Sequence, residues 1–114
     1  MKRVVIGIVG LALGLVATTA SAEDAKIEKG MKVYADLKCA MCHSIAGKGN
    51  AKGPLDEVGT KLKVDEIRQW IVDPVAMTAK TKAERKPLML NKYTALPKDD
   101  LDALVAYMVS LKKK

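Results

Sequence analysis

The sequence predicts an all-α domain, and three observations carry that reading. Apolar residues recur at the helical period in three separate stretches, no stretch alternates apolar with polar residues, and glycine- or proline-bearing segments separate them. No internal repeat competes with this organisation.

A leader precedes the first helix. Lys2 and Arg3 open onto an apolar block of 14 residues, Val4 to Ala17, and Ala20-Ser21-Ala22 closes the segment ahead of the first acids, Glu23 and Asp24. A basic start, a short apolar run and an A-x-A end mark a secretory signal peptide, and the run falls short of the ~20 apolar residues a spanning helix needs. Residues 1–22 are therefore expected to be cleaved after Ala22. Residues 23–114 then form one exported domain in the periplasm, soluble and without a membrane anchor after cleavage. No cysteine lies near the cleavage site, which excludes lipid attachment there.

Asp24 to Lys38 read as the first helix, with Ile27, Gly30, Met31 and Tyr34 at helical spacing. The stretch Gly47-Lys48-Gly49-Asn50-Ala51-Lys52-Gly53-Pro54 holds three of the eight glycines and no apolar period, so it reads as a loop. Val64 to Val72 form a short helix, with Asp65 and Glu66 in the first turn, Ile67, Trp70 and Ile71 on one face, and Asp73-Pro74 to stop it. Residues 75–96, bounded by Pro87 and Pro97, carry no clear period. After Pro97, Leu101, Leu104, Val105, Met108 and Leu111 trace one face of a last helix, with acids at its start and lysines at its end.

Charge and composition narrow the function. Loss of Lys2 and Arg3 with the leader takes the net charge from +7 to +5. A basic surface favours acidic partners. Export removes nucleic acid from consideration. The chain has no Phe, one Trp and three Tyr, so a domain of marginal size lacks the side chains that supply most buried area. Something other than aromatic side chains is expected to occupy its middle.

The stretch "DLKCAMCHSIAG" contains both cysteines, Cys39 and Cys42, and the one histidine, His43. Zinc needs about four ligands and finds three here. A thiol–disulfide oxidoreductase places C-x-x-C at the start of a helix after a strand, whereas an amphipathic helix precedes this one. A plain disulfide closes a very small loop and leaves the histidine unexplained. C-x-x-C-H as a site of covalent haem attachment accounts for all three residues. Each thiol forms a thioether with one haem vinyl group, the two-residue spacer lets both reach one porphyrin edge, and the next residue presents its imidazole to the iron.

The chain resembles the monohaem class I c-type cytochromes. "GMKVYADLKCAMCHSIAGKG" is similar to the family's first helix and haem motif, "GPLDEVG" to its proline loop, and "LPKDDLDALVAYMVSLKKK" to its last helix. The resemblance implies a small helical domain wrapped around one covalently attached haem c. Its first and last helices would cross, with Gly30 and Tyr34 meeting the face around Leu104 and Tyr107. It also implies that the carbonyl of Pro54 accepts the Nδ1–H of His43, although a plain turn proline explains Pro54 equally well.

With His43 used, a second axial histidine is impossible, and thioether is the other common ligand of an electron-transfer haem. Met1 leaves with the leader, Met31 and Met108 sit on apolar helix faces, and Met41 lies inside the motif, which leaves Met77 and Met89. In the family a loop leading to the last helix supplies the methionine, which points to Met89 with Met77 as runner-up. Leu90 follows Met89 where the family often has proline. Trp70 reads first as buried packing, with donation of its indole N–H to a haem carboxylate as the alternative. Lys38, Lys48, Lys52 and Lys92 lie near the haem segments in sequence, and no single one is assigned to docking.

An iron with both axial positions filled exchanges an electron with little rearrangement. The expected function is therefore a monomeric periplasmic one-electron carrier serving acidic redox partner proteins, and not an enzyme. An open sixth position would instead make a gas sensor or a peroxidase-like protein, and absence of haem would restore thiol chemistry.

Overall fold

The computed structural model describes residues 21–83 and 93–114, together with Gly7, Gly10, Gly14 and Met89. The expected leader lies almost wholly outside the described residues, as do Pro87 and Lys92. The described part is helical: α1 (Ala22–Asp36), a 3₁₀ turn (Cys39–Met41), α2 (Val58–Lys61), α3 (Val64–Val72), α4 (Pro74–Thr81) and α5 (Lys98–Ser110). No helix among the described residues is long and apolar enough to cross a membrane.

Helix α1 starts where the Ser21 hydroxyl accepts the Asp24 N–H at 3.2 Å, satisfying one orphan donor of the first turn. It ends two residues earlier than its pattern suggests, because Lys38 turns left-handed at φ 57°. That reversal directs the chain into the turn carrying both cysteines. Two strands then follow that the sequence did not signal, β1 (Ser44–Ile45) and β2 (Lys48–Gly49), paired antiparallel with Ser44 opposite Gly49. Ala46 and Gly47 join them with φ of 51° and 78°, a two-residue turn with both residues in the left-handed region, whose twist matches the right-handed twist of paired strands. The Asp56 carboxylate accepts the Ala46 N–H at 2.6 Å and holds that turn against the next loop.

Asp73-Pro74 ends α3 and also begins α4. The Asp73 carboxylate accepts the Ala76 N–H at 3.2 Å while Pro74 occupies the first helical position, where its missing N–H costs nothing. Part of the stretch without a clear period is thus helical. Helix α2 docks by its backbone, the Gly59 N–H donating to the Leu111 carbonyl at 2.8 Å, just past the end of α5.

The crossing of α1 and α5 organises the molecule. At Gly30 a methyl group would overlap the Ala103 carbonyl oxygen and lie 2.7 Å from Tyr107 Cβ, so only glycine allows this approach. Beside it Tyr34 and Tyr107 meet edge to face, ring centres 5.8 Å apart at 84°, a geometry worth about 0.5–1.5 kcal/mol beyond burial. The expected contact of Gly30 and Tyr34 with the Tyr107 region is therefore present. Arg68 on α3 and Lys98 on α5 both grip Asp102, at 2.8 and 2.6 Å, tying α3 to α5. Buried between these helices are Val33, Ile67, Ile71, Leu104, Val105 and Met108.

Candidate functional site

The helices enclose a cavity holding about 740 Å³ of unfilled space, part of it open to solvent. Its wall is apolar. Leu55, Val58, Leu62, Ile67, Ile71 and Leu104 form most of it, and set among them are Cys39, His43 and Met89, with Tyr34, Trp70 and Met108. Cavities of this kind, apolar with a few convergent functional groups, are the usual form of a cofactor site.

His43 is held at three points. Its N–H donates to the Cys39 carbonyl at 3.0 Å, its carbonyl accepts the Asn50 N–H at 2.9 Å, and its ring Nδ1 lies 3.1 Å from the Gly53 carbonyl oxygen. A carbonyl only accepts, so Nδ1 is the donor, and in the neutral imidazole this leaves Nε2 with the lone pair that a metal requires. The acceptor is a correction to the expectation, since the carbonyl at hand belongs to Gly53 and not to Pro54. The register of the loop explains this: the Ser44 N–H also donates to Gly53 at 3.0 Å, so Gly53 is drawn inward and buried while Pro54 stays exposed. Nothing in the sequence distinguished the two neighbouring carbonyls.

The cysteines are not joined by a disulfide. Cys39 is half-buried on the cavity wall, and Cys42 is exposed outside it. Burial pushes the Cys39 thiol up to about 11, opposite in direction to the lowered value of an exchange-active thiol. The motif also occupies a 3₁₀ turn after a helix, where a redox-active C-x-x-C would open a helix after a strand. Among the described residues no group of three His, Cys, Asp or Glu side chains is placed to hold a metal ion by itself.

The two candidate methionines part company. Met89 is half-buried and on the cavity wall, whereas Met77 is buried on α4 and is not part of that wall. Met108, expected as core filler, is both buried and on the wall. Trp70 faces the same cavity and also lines a more polar recess beside it, with Lys61 and Thr81. Tyr34 was expected only as helix packing, but its ring is on the wall and its hydroxyl is buried without a hydrogen-bond partner. Burial, with Cys39 the next cause, pushes that phenol up to about 12, so it stays protonated and able to donate.

Residues 27–112 match the family described as cytochrome c. The match spans most of the chain, and the chain belongs to the cytochrome c family. Haem as prosthetic group and electron transfer as its use come with that membership. The chain is also similar to cytochrome c oxidase subunit 2 of Alkalihalophilus pseudofirmus, 24% identical over an alignment of 108 positions that covers 87% of this chain. It spans only 30% of that relative's length. No solved structure matches the chain significantly.

The residues present fit a haem. The cavity is apolar, as a macrocycle requires. A thiol and an imidazole whose Nδ1 is already a donor stand on one wall with a thioether.

Proposed function

We propose that this chain is an exported one-electron carrier with a single haem, joined through Cys39 and Cys42 and ligated by His43 and Met89. The observation that supports this most directly is the meeting of Cys39, His43 and Met89 on one apolar cavity wall, although 46 residues separate the histidine from the methionine. The haem iron supplies a one-electron Fe(III)/Fe(II) change, at a potential raised by thioether ligation.

The chain's own groups set the conditions for that change. Gly53 fixes the tautomer and ring orientation of His43 and, by accepting its Nδ1–H, raises the basicity of Nε2. The apolar walls exclude water and so favour the less charged, reduced site. Met41 is 72% exposed beside the exposed Cys42, which leaves the attachment edge as an accessible route for electrons. Lys38, Lys48 and Lys52 are exposed on the flanking segments and suit an acidic partner protein. The similarity to an oxidase subunit makes a cytochrome c oxidase the acceptor we favour.

The decisive experiment combines intact-mass analysis of exported protein with its visible spectrum. Mass added by one haem, a thioether–iron charge-transfer band in the oxidised form and no carbon monoxide binding to the reduced native form support the carrier. A bare polypeptide with both thiols alkylatable refutes it, and carbon monoxide binding replaces it with an open-site protein.

A further inference from the structure

Asn50 ties the turn that carries Cys39, Cys42 and His43 to the loop that carries Gly53. Its backbone N–H lies between the Ala40 and His43 carbonyls, at 3.1 and 2.9 Å, and its side-chain Nδ2 donates to the Met41 carbonyl at 3.2 Å. On the loop side its Oδ1 accepts the Lys52 N–H at 3.0 Å, and its carbonyl accepts the Gly53 N–H at 3.1 Å. A backbone N–H only donates, so the Lys52 contact fixes which end of the amide is oxygen and leaves Nδ2 toward Met41. The close approach needs Gly49, where φ is 109° and a methyl group would overlap the His43 carbonyl oxygen. The Gly53 carbonyl that faces His43 Nδ1 at 3.1 Å is thus aimed by a turn whose first residue grips the His43 backbone. Serine or aspartate would accept the Lys52 N–H as well as asparagine does, so the turn alone does not explain an amide here. The donor of that amide is spent on the attachment motif.

We propose that Asn50 is a positioning residue: by joining the Met41 carbonyl to the loop that bears Gly53, it holds the Gly53 carbonyl on His43 Nδ1 and so sets how strongly the imidazole donates to the iron. The proposal rests on the haem reading of this cavity. A firm bond from Nδ1–H to a carbonyl raises the basicity of Nε2 and favours the oxidised iron, so loosening it favours the reduced one. The Ser44 N–H donates to the same Gly53 carbonyl at 3.0 Å. Loss of the Asn50 amide therefore loosens the bond to the imidazole without releasing Gly53 altogether.

The test uses Asn50→Ala and Asn50→Ser in the exported holoprotein, with Ala51→Ser, exposed on the same turn, as control. All three changes are neutral in charge. Asn50→Ser keeps an acceptor for the Lys52 N–H and is too short to reach the Met41 carbonyl, so it separates the turn from the tie. Both Asn50 variants are expected to raise the midpoint potential. Both should also speed solvent exchange of the His43 Nδ1 proton, followed by NMR of the reduced protein, by roughly five- to tenfold, the factor one net hydrogen bond is worth. Ala51→Ser is expected to leave potential and exchange in place. Unmoved exchange and potential in Asn50→Ala overturn the proposal, even with a lowered thermal midpoint, because a merely structural residue would behave so. Wild-type behaviour of Asn50→Ser also overturns it, since the turn alone would then suffice, and so does an equal response in Ala51→Ser. Haem mass and the oxidised spectrum are read on the same samples. Their absence from the unaltered protein refutes the haem reading itself, while their presence with unmoved exchange refutes only the role of Asn50.

Discussion

Gly30→Ala tests the helix crossing on which the cavity depends. A methyl group there would overlap the Ala103 carbonyl oxygen and lie 2.7 Å from Tyr107 Cβ and 2.8 Å from the Ala103 carbonyl carbon. Carbon atoms in contact settle at about 3.5–4.0 Å, so α5 has to retreat by roughly 1 Å. No rotamer change relieves the clash, because the obstacle is backbone. Overpacking a close-packed site costs about 1–3 kcal/mol, and a backbone obstacle places this one at the upper end. Alanine returns roughly 1 kcal/mol through helix propensity. The net loss is about 2 kcal/mol, which lowers the melting temperature of a domain this size by roughly 8–16 °C. Far-UV circular dichroism melts of the holoprotein read it directly. An unchanged or raised melting temperature would show that propensity governs and that α1 and α5 are not in backbone contact at Gly30.

Met89→Ala is expected to remove the thioether–iron band and open the reduced protein to carbon monoxide. Met77→Ala keeps the band and lowers stability by about 2–5 kcal/mol as a buried truncation; visible spectra of the two variants decide, and the opposite pattern transfers the ligand role to Met77. Hydrogen bonds from Lys98 and then Arg68 hold the Asp102 carboxyl at about 2, below its ordinary 3.8. The stability this pair of contacts adds is therefore complete above 3.8 and lost as the pH falls toward 2, so in acid titrations Asp102→Asn and the unaltered protein should converge across that window. With a net charge of +7, electron exchange with an acidic partner should slow steadily as ionic strength rises, and stopped-flow rates that ignore salt would contradict electrostatic steering.

Much of this fold was legible because its main helices carry their own signals. The apolar faces of α1, α3 and α5 repeat over enough turns to be read, and C-x-x-C-H confines its chemistry to five residues. The hairpin at Ser44–Gly49 was not legible, since two residues per strand cannot establish alternation. It exists because Ala46 and Gly47 reverse the chain while Gly53 and Leu55 bond back to Ser44 across sequence. The start of α4 was legible in principle, because Asp followed by Pro is a helix cap and first residue as readily as a stop. The Gly53 acceptor lay beyond sequence reasoning, because two successive carbonyls differ only in which way the folded loop turns them.

The scarcity of aromatic side chains and the shape of the interior have one cause. Of the six residues in the buried cluster, Ile67, Ile71, Leu104 and Met108 also line the cavity, so most of the core is a wall and little of it is packed solid against itself. A wall of this kind gains its full burial only when the space is filled, because apolar surface facing an empty cavity loses both its packing contacts and its separation from water. The helices that form it are individually short, and several of them hold one another at single points: the α1–α5 crossing at Gly30, the grip of Arg68 on Asp102 and the Gly59–Leu111 hydrogen bond. Cofactor binding and folding are therefore coupled through the same side chains. That coupling places the attachment motif usefully: Cys39–Met41 immediately follows α1, whose crossing with α5 closes the wall.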